Sequence, residues 1–305
     1  MKEFNNVLVT GANGFIGSNL KKYLARKQPQ ISITPLYGPS HQSEVSGDIT
    51  DFSMFATLPE KCYVIVHLAA LTDYATINKR PTYAFSNYII GLNNIITYAL
   101  KAGVKKIVFL SSIKAYGDAP MPFDENIPPM PTVLMGKLKV ESERILSLLN
   151  ATSGIDIVVL RVSNAYGFGQ SSRFLIPKMI EAIIYNKEIA LCDLSTMRNY
   201  IYIDDLIEAI HFFTFSEFPG YSVFNIANSS STRIKELVET IESYIGTKLV
   251  YNEGMLRTDE KPTELISIDK AALAGWIPST SISEGIRQTV AKYLEILKKD
   301  GKYEV

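Results

Sequence analysis

The sequence predicts an α/β fold, a doubly wound parallel sheet with a smaller mixed α/β domain, and three observations carry that expectation. Short β-branched runs with few polar residues, NVLVT, ISITPLY, YVIVHLAA, KIVFLSS and DIVVLRVS, have the character of strands covered on both faces. Periodic segments such as IGSNLKKYLARK and NNIITYALKAG fall between them as helices. A glycine cluster follows the first strand and opens the first helix.

The strand, helix, strand rhythm holds through residue 166 and then loosens. RFLIPKMIEAIIYNK and DDLIEAIHFFTF are helical, while IALCD, NYIYIDD and SVFNIANSS are strand-like. STRIKELVETIESYIG is a capped helix, and ISEGIRQTVAKYLEILKK is the last one. Residues 1–166 are therefore expected to form the sheet domain, with 199–228 returning to it. Residues 167–198 and 229–305 are expected to form the second domain. GDAPMPFDENIPPMPT is too rich in proline for a helix or central strand.

Composition narrows the function classes. The charges balance at 31 basic and 31 acidic residues, so no global field favours nucleic acid or an anionic membrane. Cys62 and Cys192 have no metal-ligand spacing and suggest no disulfide framework, and His41, His67 and His211 are scattered. No metal site is expected. The chain passes from MKEFNN directly into a strand pattern, with no leader and no run of membrane-spanning length. The expectation is a cytoplasmic protein, and balanced charge still leaves room for a local basic pocket for a phosphorylated small molecule.

In VLVTGANGFIG, Gly11, Gly14 and Gly17 allow a tight turn and close approach of backbone to a pyrophosphate, with the helix N-terminus supplying N–H groups. The spacing Gly-x-x-Gly-x-x-Gly resembles the extended branch of the short-chain dehydrogenase/reductase superfamily. The resemblance continues through SGDITD, HLAA, GVKKIVFLSS with AYGD, LRVSNAYGFGQ and RNYIYIDDLIEAI. In that order these motifs resemble the nucleotide-sugar epimerase, dehydratase and 4-ketoreductase group, with its Rossmann sheet. The resemblance implies cofactor contacts at Gly11, Asn13, Gly14, Phe15, Ile16, Gly17, Asp48, Ile49, Leu68, Ala69, Ala70 and Lys139. It implies substrate contacts at Thr72, Ser112, Asn164, Arg198 and Arg257, the two arginines gripping a nucleotide-sugar diphosphate. A homodimer is expected on the same ground.

The adenosine end departs from the usual NAD pattern. No carboxylate ends the second strand in ISITPLYGPSHQ, and Ser40 or His41 could help hold a 2′-phosphate, although the loop has no arginine. NADP(H) is favoured, with NAD(H) the alternative.

The stretch PTVLMGKLKVESE poses the chemical question. It begins a helix with Met135 and Lys139 one turn apart on one face. Glu141, Glu143 and Arg144 fall on its polar side, and Val140, Ile145 and Leu148 on an apolar stripe. In the family this stretch carries Tyr-Gly-x-Ser-Lys, where tyrosine is the general acid/base and lysine binds the nicotinamide ribose. Here Lys139 and Gly136 are kept and the tyrosine is Met135, which has no proton to give. Loss of a general acid costs about 10²–10⁴ in rate. Some 4,6-dehydratases also carry methionine there, paired with Thr-Asp-Lys; this chain has Ser112, Ile113 and Lys114. Ile113 cannot protonate a leaving hydroxyl, which argues against 4,6-dehydration. Lys114 is either a proton source or a solvated residue at the strand end, and Tyr74 is a further hydroxyl near the expected pocket. Ser112, Lys139, Met135 and Lys114 are the candidate catalytic positions.

Reduction of a nucleotide-linked 4-keto-6-deoxy sugar, with dTDP sugars the favoured class, makes the smallest demand on such a site. It needs a polarised carbonyl and one proton. A C4 epimerase is the alternative, and a catalytically silent NADP(H) or nucleotide-sugar binder is the alternative of another class.

Overall fold

The computed structural model describes residues 6–39, 45–191, 193–254 and 261–299. Strand β1 (Asn6–Thr10) leads through a glycine turn into helix α1 (Phe15–Lys27), which returns the chain to β2 (Ser32–Leu36). Strand β3 (Val64–His67) is followed by the short helices α2 (Tyr74–Lys79) and α3 (Pro81–Phe85) and by α4 (Gly91–Ala102). Then come β4 (Lys106–Ser112), α5 (Leu134–Ser153) and β5 (Asp156–Val162). Past this point the chain forms β6 (Asn164–Tyr166), α6 (Leu175–Ile184), β7 (Ile189–Leu191), β8 (Met197–Tyr202) and α7 (Ile203–Phe215). It closes with β9 (Tyr221–Ile226), β10 (Ser231–Arg233), α8 (Ile234–Ile245), β11 (Tyr251–Glu253), α9 (Asp269–Ala274) and α10 (Ile282–Lys299).

The main sheet is parallel throughout, in the order β2-β1-β3-β4-β5-β9. Alternation along β1 explains why it is covered on both sides. Val7 and Val9 pack with Leu20 and Leu24 of α1 and with Leu206 and Ile210 of α7. Leu8 joins the opposite layer, with Leu92 and Ile95 of α4 and Leu146 of α5. Because β1 lies between β2 and β3, successive connections diverge at its carboxyl end and leave a crevice there.

Strand β9 pairs with β5 from Ile157↔Tyr221 to Val162↔Ile226 and is the last strand of the main sheet. Strand β8 instead forms a separate sheet between β10 and β6. Strand β6 thus leaves the main sheet immediately after β5 and pairs with β8 through Asn164↔Tyr200. The remaining small sheet joins β11 to β7.

Helix α5 buries only part of the expected stripe: Val140 is buried and Ile145 half-buried, but Leu148 is 67% exposed. Glu143, expected on the polar side, is buried with Lys139 and Ser142 beside Leu146 and Leu149. The polar residues turn inward because Glu143 meets Arg161 from β5 and Ser111 from β4, which satisfies its carboxylate inside the protein. Cys62 is buried and its thiol donates to the Val64 carbonyl, whereas Cys192 lies outside the described residues. Among the described residues no helix is long and apolar enough to cross a membrane, and no group of three His, Cys, Asp or Glu is placed to hold a metal ion.

Candidate active site

The crevice at the end of β1 is shaped by backbone. Gly11 has φ +67, a left-handed conformation that favours glycine, and a Cβ there would sit 2.9 Å from the Ala69 backbone. A Cβ on Gly17 would sit 2.3 Å from the Gly11 carbonyl oxygen. Gly14 caps α1 without a side-chain bond, so Phe15 and Ile16 begin a helix whose first-turn N–H groups have no capping side chain. This cradle, which a side chain would fill, fits a dinucleotide pyrophosphate. Asn13 braces the adjoining loop: its Oδ1 accepts from the Gly38 N–H at 3.0 Å.

Thr10 and His67, which sequence reasoning missed as a pair, lock the two sides of the crevice together. The Thr10 hydroxyl oxygen accepts from Leu68 N and Ala69 N, each at 3.1 Å. Its own hydrogen is then left for His67 Nδ1 at 2.8 Å, which places the imidazole proton on Nε2. Burial, helped by the nearby Lys139 charge, pushes the His67 pKa down to about 3, so the ring is neutral. Ala70 packs further along, on the cluster that contains Met135. Asp48 uses its carboxylate on the Thr50 N–H at 2.9 Å, and buried Ile49 accepts from Asn94 Nδ2 through its carbonyl at 2.9 Å. Thr72 is exposed on the loop before α2.

Helix α5 brings Lys139 to the β4 end. Its Nζ donates to the Leu110 carbonyl and lies over the rings of Phe109, at 4.7 Å, and Tyr88, at 5.2 Å. Burial lowers its pKa to about 7, with Glu143 opposing the shift. Met135 is 9% exposed in an apolar cluster with Ile77, Ala84, Tyr88 and Leu138, and Tyr74 packs against that cluster. Ser112 ends β4, and its Oγ accepts from the Lys114 N–H at 3.2 Å, leaving the hydroxyl hydrogen to be donated elsewhere. Tyr116 and Tyr166 are buried, their hydroxyls donating to Asn225 Oδ1 and the Ile282 carbonyl.

Lys114 is not a solvated strand-end residue. Its Nζ lies 2.7 Å from Glu264 Oε1, and the two side chains are 23% and 6% exposed. Burial alone would lower its pKa, but Glu264 and Tyr74 outweigh that and raise it, so the ammonium keeps its proton. Glu264 is the residue that sequence reasoning missed entirely. Its Oε2 accepts from Asn164 Nδ2 at 3.0 Å, and Arg198 Nε lies 3.9 Å from Oε1. Asn164 and Arg198, expected substrate contacts, and Lys114, an expected catalytic residue, therefore converge on one carboxylate. A cleft of about 330 Å³ lined by Tyr74, Lys114, Thr132 and Glu264 lies on one side of it. A second cleft of about 300 Å³ is lined by Asn164, Phe174, Arg198 and Tyr200. Arg257, Ser40 and His41 lie outside the described residues.

Residues 7–227 match the family described as NAD dependent epimerase/dehydratase. A UDP-glucose 4-epimerase of Halalkalibacterium halodurans is 27% identical over 302 residues, covering 89% of this chain and 90% of that protein. A dTDP-D-glucose 4,6-dehydratase of Mus musculus is 26% identical over 316 residues, covering 94% of this chain and 88% of the relative. The structure of UDP-glucose 4-epimerase from Thermotoga maritima with UDP-glucose has a TM-score of 0.86 at 26% identity, covering 96% of this chain and 99% of that one. The glycine cradle, the parallel sheet and a match over well more than half of the chain lead to one conclusion. The chain belongs to the NAD dependent epimerase/dehydratase family, within the nucleotide-sugar group of the extended short-chain dehydrogenases/reductases, and is an NAD(P)-dependent enzyme.

Proposed function

We propose that the protein reduces a nucleotide-linked 4-keto-6-deoxy sugar, a dTDP-4-keto-6-deoxyhexose being the substrate class. One observation carries this reading: Met135 sits in an apolar cluster where the family has its tyrosine, while nearby Lys114 is held as an ammonium by Glu264. An ammonium has no lone pair with which to take a proton, but it can give one to a developing alkoxide, which is far more basic than an amine. Reduction needs only a donor. A C4 epimerase must first take a hydroxyl proton and then return it.

In this reading the Ser112 hydroxyl, whose oxygen already accepts from Lys114 N–H, donates to the sugar carbonyl oxygen and polarises it. Lys114 gives the proton that the developing alkoxide needs. Lys139 holds the nicotinamide ribose, and the cradle from Gly11 to Gly17 holds the pyrophosphate. The reduced nicotinamide cofactor, when bound, supplies hydride. Asn164 and Arg198, with Arg257, grip the substrate diphosphate. Residues 1–166 with β9 carry the cofactor and lend Ser112, Lys114 and Asn164 to the substrate, 167–198 and 229–305 carry the rest of the nucleotide sugar, and the enzyme works as a homodimer.

NADP(H) is the preferred cofactor in this proposal. The end of β2 offers Leu36, Tyr37 and Gly38 and no carboxylate, and Lys21 Nζ donates to the Tyr37 hydroxyl at 2.9 Å. A cation at the end of β2 supports this preference, since it could offset the charge of an adenosine 2′-phosphate. The names of the 4-epimerase relatives favour C4 epimerisation as a second reading.

The deciding experiment mixes the pure protein with NADPH and dTDP- or UDP-linked 4-keto-6-deoxyglucose and follows absorbance at the nicotinamide band. A parallel reaction with UDP-glucose and NAD⁺ is assayed for UDP-galactose. Consumption of NADPH with a 4-keto substrate supports the reductase. Epimer formation without it establishes the second reading.

A further inference from the structure

We propose that Glu264 is a specificity-determining residue whose carboxylate holds the place of the substrate diphosphate, so that only a ligand bringing its own anion opens the site. The inference rests on the proposed role of Asn164 and Arg198 as diphosphate donors.

The geometry is that of an occupied anion site. The Glu264 carboxylate has Lys114 Nζ at 2.7 Å, Asn164 Nδ2 at 3.0 Å and Arg198 Nε at 3.9 Å. Its side chain is only 6% exposed, so these contacts are poorly screened by solvent. Lys114 and Glu264 line one cleft, and Asn164 and Arg198, which the Glu264 carboxylate also reaches, line the other. A sugar in the first cleft and a nucleoside in the second would be joined by a linker crossing this position. A diphosphate brought beside a buried carboxylate meets like charge at short range. It must displace the carboxylate.

The donors are built to survive that exchange. Arg198 Nη1 also donates to the Met197 and Lys261 carbonyls at 3.0 and 2.8 Å. Asn164 Nδ2 also donates to the Asn199 carbonyl at 2.7 Å. The Glu264 backbone is fixed separately, its carbonyl accepting from the Ser231 hydroxyl. Rotation of one side chain therefore withdraws the carboxylate from Asn164 and from beside Arg198 without unmaking these supports. The same rotation parts Lys114, which already lines the sugar-side cleft, from Glu264, and the incoming diphosphate replaces the carboxylate as the anion that keeps it an ammonium. A free sugar, which brings no charge, leaves the carboxylate in place.

Isothermal titration with dTDP, UDP and thymidine tests this on wild type, Glu264→Gln and Glu264→Asp. The glutamine variant removes the charge and keeps an acceptor; it should bind dTDP or UDP about tenfold more tightly, with thymidine affinity unchanged. The aspartate variant, whose carboxylate is withdrawn by one methylene, should shift the same way by less. NADPH titration checks that each variant is folded. Equal or weaker diphosphate binding by folded Glu264→Gln overturns the proposal while leaving the nucleotide-sugar reading intact. Failure of both wild type and variant to bind either diphosphate overturns both.

Discussion

Arg161 meets Glu143 in a buried two-point ion pair, with Nη2 donating to Oε2 at 2.7 Å and Nε to Oε1 at 3.2 Å. Glu143 lies one helical turn beyond Lys139, so this pair fastens the functional face of α5 to β5. Ser111 donates to the same carboxylate from β4. Removing one partner leaves the other charge buried and unmatched. Arg161→Met is expected to lower stability by about 3–5 kcal/mol, measured by denaturant unfolding. A loss below the level of an ordinary surface substitution would show that the pair is dispensable.

Gly136 sets how closely α5 approaches the end of β4. A Cβ there would lie 2.3 Å from the Lys114 carbonyl oxygen, and the obstacle is backbone, which cannot rotate away. Gly136→Ala should therefore cost on the order of 1–3 kcal/mol and push Met135 and Lys114 apart. Steady-state kinetics should show kcat falling while KM for NADPH changes little.

The depressed Lys139 pKa gives a pH signature. Near pH 8 the folded protein without ligand holds this amine mostly neutral, because its pKa is about 7 against an ordinary 10.5. Between those two values the unfolded chain binds more protons than the folded one, so this group makes stability rise with pH across that window. Hydrogen bonding to ribose hydroxyls and proximity to an anionic dinucleotide favour the ammonium. NADPH binding at pH 8 should take up a proton, read by titration calorimetry in buffers of different ionisation enthalpy. Lys139→Met should bind NADPH more weakly and abolish the uptake.

The proton route is separable by substitution. Lys114→Ala should cut kcat about 10²–10⁴-fold, and Ser112→Ala should cause a loss of similar kind. Met135→Leu should keep most of the activity, since it conserves an apolar side chain in an apolar cluster. Stopped-flow records of NADPH absorbance check each variant. If wild type turns over no 4-keto substrate and Met135→Tyr does, Lys114 is not the donor and the methionine marks a disabled site.

The sheet was legible because β-branched runs and glycine turns report on local backbone and on burial at once. NVLVT, KIVFLSS and DIVVLRV lie where their patterning placed them. Helix α5 was legible as a helix but not in its facing: Glu143 looks solvated from one sequence segment, and Arg161, which makes burial tolerable, arrives from another strand. Glu264 was illegible for the same reason. Its meaning comes from Lys114, Asn164 and Arg198, which reach it from three separate segments of the chain. Thr10 and His67 carry no motif; only the pairing of β1 with β3 makes them partners.

The last strand of the main sheet has a consequence for synthesis. Strand β5 ends at Val162, yet its outer neighbour β9 is complete only at Ile226. While the intervening residues leave the ribosome, at roughly 5–20 residues per second, β5 presents an unpaired apolar edge to the cell. In the folded sheet it is β9 that pairs with that edge, and such edges, when open, template association with other chains. Translational stalling or truncation between these two points should therefore yield aggregating fragments, whereas release just beyond Ile226 should not carry the same exposed row.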